Sequence, residues 1–138
     1  MYTLTEEEKR SIIFHINVEI FTFNECYTKL QLGEEKAALE CFLLHARNLH
    51  DFLVTPLVDR YRDDVLAADF IFEKIPIEFP DGVRDRINVQ LQHISYSRLS
   101  DKQKSLFEER DKIYQSIKDG LNRYNAIASQ EYRLNQLV

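Results

Sequence analysis

A chain of 138 residues, 44% hydrophobic and 30% charged, can bury a core of its own, which excludes a disordered protein. The net charge of −5 argues against a protein that coats nucleic acid through bulk electrostatics, since that kind of binding needs a basic surface. A local basic patch is still compatible with this net charge. Only three glycines and three prolines occur, and apolar residues recur with the period of a helix. Residues 1–138 are therefore predicted to form a single all-α domain.

The two cysteines and the apolar runs bear on where the protein resides. Cys26 and Cys41 fall on predicted helices without CxxC spacing, so we expect two buried free thiols in a reducing compartment. No run reaches the roughly 18 to 20 apolar residues of a membrane span, and no signal peptide precedes the first helix. These features predict a cytoplasmic protein that does not enter the membrane.

The first helix is predicted from a capping box and a long apolar period. Thr5 is followed three residues later by Glu8, the pattern of a helix N-terminus. Apolar residues then recur at steps of three and four as far as Leu32: Ile13, Ile16, Ile20, Phe23, Tyr27 and Leu30. Gly33 supplies the stop, and the second helix begins at Glu34. So short a connection predicts an antiparallel hairpin.

The second helix is the most strongly amphipathic segment and ends at Thr55-Pro56. Its apolar stripe is Leu39, Phe42, Ala46, Leu49 and Leu53. His45 and His50 lie inside or beside this stripe, and we expect each to be satisfied by one hydrogen bond. A metal site is the alternative, but a spacing of five residues prevents the two imidazoles from sharing one ion as an i, i+4 pair would.

The opposite face of the second helix carries the predicted binding residues. Arg47 and Asp51 are four residues apart and are expected to pair on a solvated face, with Glu40 two turns earlier. Alternatively, a partner helix covers this face and Arg47 is held as a fork for a carboxylate or phosphate oxygen. We count Arg47, Asn48 and Asp51, together with the later Tyr96, as candidate binding residues.

Residues 57–82 are predicted to contain a turn, a short extra helix and a proline-containing loop. Asp63 and Asp64 are expected to cap the short helix rather than to bind a metal. The loop Glu73–Gly82 carries two of the three prolines and the apolar residues Ile75, Ile77 and Phe79. We expect it to fold across one end of the bundle or to lie against a second subunit.

The third helix is expected from about Asp81 to Leu99. Its predicted core residues are Val83, Ile87, Leu91 and Ile94, and Val89 and Tyr96 widen the apolar arc. A semi-buried polar stripe lies between the two edges: Arg86, Gln90, His93 and Ser97. That stripe is where we look for chemistry.

The last helix is predicted to begin at Ser100 and Asp101 and to continue to Val138, with Gly120 as a weak point. Such a helix would be about 55 Å long, so its end would project or pair with another chain. The prediction is an up-and-down four-helix bundle with the short extra helix and the proline-containing loop between helices 2 and 3. We expect it to form a homodimer or to bind a partner protein.

Arg86 and His93, two turns apart on one face, suit cleavage of RNA without a metal. Histidine exchanges protons near neutral pH, and arginine steadies the phosphorane charge while the 2′-hydroxyl attacks. Here the chain resembles the HEPN superfamily of helical bundles, whose nucleases carry R-x(4 to 6)-H and act as dimers. The resemblance implies that Arg86 and His93 are catalytic, with Tyr96 nearby. The residue after the arginine is usually polar in those nucleases, whereas it is Ile87 here.

A second resemblance concerns three segments, FLLHARNLHDFL, RDDVLAADF and INVQLQHISYSR. They look like blocks of an uncharacterised bacterial helical-bundle family, which implies the fold without an activity. Neither a G-x-S-x-G turn, a phosphate-binding glycine loop nor a dinucleotide fingerprint occurs, so we expect no nucleotide, metal or other cofactor. The first hypothesis is therefore an interaction, structural or regulatory module, and the alternative is the HEPN-like ribonuclease acting on RNA.

Overall fold

A computed structural model describes residues 3–33, 35–92 and 106–137. The main helices in these ranges are α1 (Glu6–Leu30), α2 (Lys36–Val54), α3 (Val83–Gln92) and α4 (Arg110–Ile127). No described residue lies in a strand, which confirms the all-α class. The up-and-down order of four helices stays a prediction, because residues 93–105, between α3 and α4, are not described. Length and apolarity together rule out a membrane-spanning helix among those described.

The start of α1 and its pairing with α2 follow the predicted local signals. The Glu8 amide donates to Thr5 Oγ1 at 3.1 Å, and the Thr5 amide donates to Glu8 Oε1 at 3.0 Å, which confirms the capping box. α1 ends at Leu30, and α2 ends at Val54, directly before Thr55-Pro56. The two helices form the predicted antiparallel hairpin.

Cys26 of α1 and Cys41 of α2 are joined by a disulfide, with their Cα atoms 6.2 Å apart. The prediction of two free thiols is wrong. The cysteines are separated by 15 residues, and only the antiparallel hairpin brings them to facing positions. The reason for expecting a reducing compartment therefore no longer holds.

The core is built around α2, which packs against α1, α3 and α4. An aromatic column crosses it from α2 to α4. The ring of Phe42 stacks on Phe23 at 4.9 Å between centroids, and Phe23 stacks on Tyr114 of α4 at 5.6 Å. Tyr27 also stacks on Tyr114, at 3.8 Å between centroids. Because Phe23 and Phe42 are fully buried, this column fixes how the three helices sit together.

Between α2 and α3 the chain is less helical than predicted. Asp63 and Asp64 lie in and beside a turn where no helix begins, so the capping role assigned to them is wrong. The left-handed backbone of Arg62, with φ of 56°, interrupts any helical run there. The expected short helix is the 3-10 turn Ala67–Asp69.

The residue that stabilises this segment is Asp69. Its Oδ2 accepts the Leu66 amide at 2.9 Å, and its Oδ1 accepts a hydrogen bond from the Arg60 guanidinium. Both charged side chains are only 9% exposed. The buried ion pair therefore holds residues 60–69 in one conformation.

The proline-containing loop packs on the helices of its own chain, whereas its expected position across one end of the bundle stays a prediction. Ile75 is buried, and the Phe79 ring stacks on His50 of α2 at 4.7 Å. Ser116 Oγ of α4 donates to the Glu78 carbonyl at 3.0 Å. The loop thus spans from α2 to α4.

In α3 the predicted core residues Val83 and Ile87 are fully buried. Gln90 is also buried, deeper than the semi-buried stripe predicted, and its Nε2 has no hydrogen-bond partner among the described residues. The predicted C-terminal half of this helix, with Ile94 and Ser97, lies outside the described residues. The described part therefore confirms the apolar face of α3 up to Leu91, which packs partly buried against the core.

The prediction of one last helix continuing to Val138 is wrong, since α4 ends at Ile127. The Tyr124 hydroxyl donates to the Tyr132 carbonyl at 2.9 Å. The Asn125 side chain bonds both backbone groups of Leu134, at 2.7 and 2.9 Å. Leu134 and Leu137 are buried. The apolar residues that suggested a longer helix instead belong to a tail that folds back on the core.

Gly120, expected to weaken the last helix, is where the loop approaches α4 most closely. A Cβ atom at this position would lie 2.7 Å from Cδ1 of Ile77 and 3.1 Å from Cδ1 of Leu53. Glycine is therefore needed here for close packing rather than for its backbone freedom.

We predict that Gly120→Val lowers the free energy of unfolding by about 2 to 3 kcal/mol, because the new side chain overlaps Ile77. In an Ile77→Ala background the same substitution should cost less, by about 1 kcal/mol or more. Urea denaturation of the wild type, both single variants and the double variant measures this coupling. Additive losses would contradict the contact.

Candidate functional site

The residues predicted to be catalytic are only partly described. Nη2 of Arg86, on α3, donates to Oε2 of Glu109 at 2.6 Å, and each of these side chains is about one quarter exposed. His93 and Tyr96 lie outside the described residues. The described residues therefore give Arg86 a carboxylate partner and leave its relation to His93 open. Glu109 was missed because it lies 23 residues away in sequence.

The expected pair between Arg47 and Asp51 does not form, and that prediction is wrong. Asp51 is bound by Arg84 of α3, whose Nη2 lies 2.8 and 2.9 Å from the two carboxylate oxygens. The alternative, in which a partner helix holds Arg47 as a fork, is not confirmed: α3 meets this face at Asp51, but the cation is Arg84 and not Arg47. Nothing local in the sequence distinguishes Arg84 from Arg47 as the partner.

Burial and hydrogen bonding act in opposite directions on the carboxyl group of Asp51. Burial alone would raise its pKa, but the hydrogen bonds from His50 and Arg84 outweigh burial and hold the pKa below its ordinary value. His50 Nδ1 is 3.4 Å from Oδ1 of Asp51. The charge of Asp51 is therefore already paired within the chain.

A second polar cluster joins α1 to α2. Oε1 of Glu19 lies 2.6 Å from Nδ1 of His45 and accepts the Asn48 amide at 2.8 Å. Burial would raise the pKa of Glu19, but these two hydrogen bonds lower it below the ordinary value. The contact confirms that His45 is satisfied by one hydrogen bond, and it engages the amide of the predicted binding residue Asn48.

Asn48 and Asp51 line an open cavity of about 440 Å³ beside α2. Its other lining residues are Phe52, Thr55, Asp59, Tyr61, Asp64, Val65 and Leu66. The charged side chains among them are all aspartates, so a phosphate group would meet repulsion here. No described group of three or more histidine, cysteine or acidic residues is placed to hold a metal ion. The cavity thus does not suit RNA.

A further candidate surface is on the outer face of α1. Phe14 is 66% exposed, Val18 48% and Phe21 64%. Because they are spaced by four and three residues, they share one face of the helix, roughly opposite the side that packs on α2. We call these three residues the α1 stripe. The sequence does carry a signal for this stripe, because Phe14, Val18 and Phe21 form a second apolar series on α1 that is out of phase with the series in the core.

Comparison with protein-family models, with curated protein sequences and with solved structures finds no match to this chain. The resemblances to the HEPN superfamily and to a bacterial helical-bundle family therefore stay expectations, and function has to be inferred from the surfaces described above.

We predict that Arg84→Ala lowers the free energy of unfolding by about 1 kcal/mol, because it removes the arginine partner of the half-buried Asp51 carboxylate. The matched control Arg47→Ala should cost less than about 0.5 kcal/mol, since Arg47 makes no hydrogen bond or ion pair with the described residues. Chemical denaturation at neutral pH measures both. A larger loss of stability in Arg47→Ala than in Arg84→Ala would indicate that Arg47 is the partner of Asp51.

A pH prediction follows from Glu19. The pKa of Glu19 is lowered in the folded protein, so the unfolded chain binds the proton more tightly. The Glu19 carboxylate therefore contributes to stability above its ordinary pKa of 4.5, and this contribution is lost as the pH falls through the pKa of the folded state. Glu19→Gln should therefore lose less stability than the wild type between pH 5 and about pH 3. Urea titrations across that range, with exposed Glu73→Gln as a control, test it. An unchanged acid slope in Glu19→Gln contradicts the assignment.

Proposed function

We propose that this chain is an interaction module that binds a protein partner through the α1 stripe. The observation that carries the proposal is the exposure of two phenylalanines and a valine on one face of a helix whose opposite face is in the core. Single exposed apolar residues are common on protein surfaces, but a contiguous apolar patch is typical of a contact site. Aromatic side chains are also enriched at the centres of protein interfaces.

The polar clusters support a structural role rather than catalysis. Glu19 uses one oxygen for His45 and Asn48, and Asp51 uses both oxygens for Arg84. These groups bond one another across helix contacts, as polar contacts that fix helix register do. In this proposal the Glu19 cluster keeps α1 in place on α2, and the Arg84–Asp51 pair keeps α3 on α2. The α1 stripe is thereby presented in a fixed shape.

The ribonuclease alternative remains a prediction with less support. Glu109 already offers a carboxylate to Arg86, which would compete with an RNA phosphate for the guanidinium. The acidic lining beside Asn48 and Asp51 also disfavours RNA there. RNA cleavage in EDTA that disappears in both Arg86→Ala and His93→Ala, with folding intact, would favour the enzyme over the module.

The interaction can be tested by replacing Val18 with photoreactive benzoyl-phenylalanine in the cells that naturally make the protein. Irradiation should give a covalent adduct with a protein partner, identified by mass spectrometry. The same replacement at Val58, which is 91% exposed but far from α1 in sequence, is the control and should give little or none of that adduct.

Adding Phe14→Ser and Phe21→Ser to the Val18 probe should abolish the adduct, because the apolar surface is lost while the fold is kept. Circular dichroism confirms the fold. The proposal fails if the Val18 probe gives no specific adduct, or if the adduct survives loss of both phenylalanines.

A further inference from the structure

We infer that the partner of the α1 stripe is the α1 stripe of a second copy of this chain, with the two helices antiparallel. This inference rests on the proposed function and specifies its partner. It places a two-fold axis beside the middle of the stripe, between Asn17 and Val18, so that Phe14 of one copy faces Phe21 of the other.

The spacing of the stripe is what a two-fold contact requires. A symmetric dimer uses the same patch on both subunits, so the patch must be complementary to itself. Reversing the direction of α1 about the point between Asn17 and Val18 exchanges Phe14 with Phe21. Phe14, Val18 and Phe21 span an arc of only about 60° at 100° per residue. In the paired helices, Phe14 of each copy therefore faces Phe21 of the other, one such contact at each end of the stripe.

The charges at the two ends give the direction of pairing. Arg10 precedes Phe14 by four residues and Glu25 follows Phe21 by four, so both lie on the stripe's face, and both are exposed. Neither forms an ion pair among the described residues. The same two-fold axis brings Arg10 of each copy to Glu25 of the other. Parallel pairing would instead oppose like charges at both ends.

The size of the stripe sets the strength of the dimer. At the observed exposures it offers on the order of 300 Å² of apolar surface per copy, taking roughly 200 Å² for a whole phenylalanine. A stable interface of standard size buries about 800 Å² per partner. We therefore expect a reversible dimer that forms at micromolar or higher concentration, with the phenylalanines at its centre.

Charge reversal with mixing tests the register. Sedimentation equilibrium from about 5 to 500 μM, a range that brackets a reversible dimer, should show self-association of the wild type. Arg10→Glu alone and Glu25→Arg alone should each raise the dimer dissociation constant about tenfold, because each homodimer then opposes like charges twice. An equimolar mixture of the two variants should restore a heterodimer near wild-type strength, because both of its charge contacts are again attractive. Lys112→Glu, an exposed reversal on α4, is the control and should leave association unchanged.

Each outcome separates this inference from the proposed function. A wild type that stays monomeric at 500 μM overturns the dimer, while a Val18 adduct with a different protein would still uphold the module. Self-association without rescue in the mixture overturns the antiparallel register. A Val18 probe that captures nothing overturns the proposed function and, with it, this inference.

Discussion

The packing of α1 on α2 is the constraint on which the rest of the molecule depends. The stacked rings of Phe23 and Phe42 and the disulfide between Cys26 and Cys41 join the two helices, and Tyr114 carries the same stack to α4. Because α2 is surrounded by α1, α3 and α4, it buries the side chains of its predicted apolar stripe, Leu39, Phe42, Ala46, Leu49 and Leu53, almost completely. α1 lies at the edge of this arrangement, so only one of its two apolar series is covered.

What the sequence predicts well is local. The capping box of Thr5, the stop before Pro56 and the buried face of α3 each depend on residues a few positions apart, and the structure confirms them. What it predicts poorly depends on contacts between distant residues. The disulfide needs the finished hairpin, and the folded-back tail needs Asn125 to bond Leu134. A 3.6-residue apolar period cannot distinguish such a tail from more helix.

The same distinction holds for the candidate sites. The sequence predicts an ion pair for Asp51, because Arg47 lies four residues before it on the same helix. The partner in the structure is instead Arg84, which comes from another helix. The α1 stripe could have been read from the sequence, since Phe14 and Phe21 repeat at helical spacing outside the core series. Their exposure, however, depends on where α2 and the tail pack.

The most direct measurement of the central claim is the distance between nitroxide labels at position 29 in the self-associated protein, using Lys29→Cys. The native cysteines are both in the disulfide, so labelling is specific. Antiparallel α1 helices with the two-fold axis between Asn17 and Val18 place the two labelled backbone positions about 35 Å apart, from a rise of 1.5 Å per residue and a helix separation of 8 to 10 Å. A distance near 10 to 15 Å would indicate parallel helices. Either that short distance or no intermolecular distance would contradict the account.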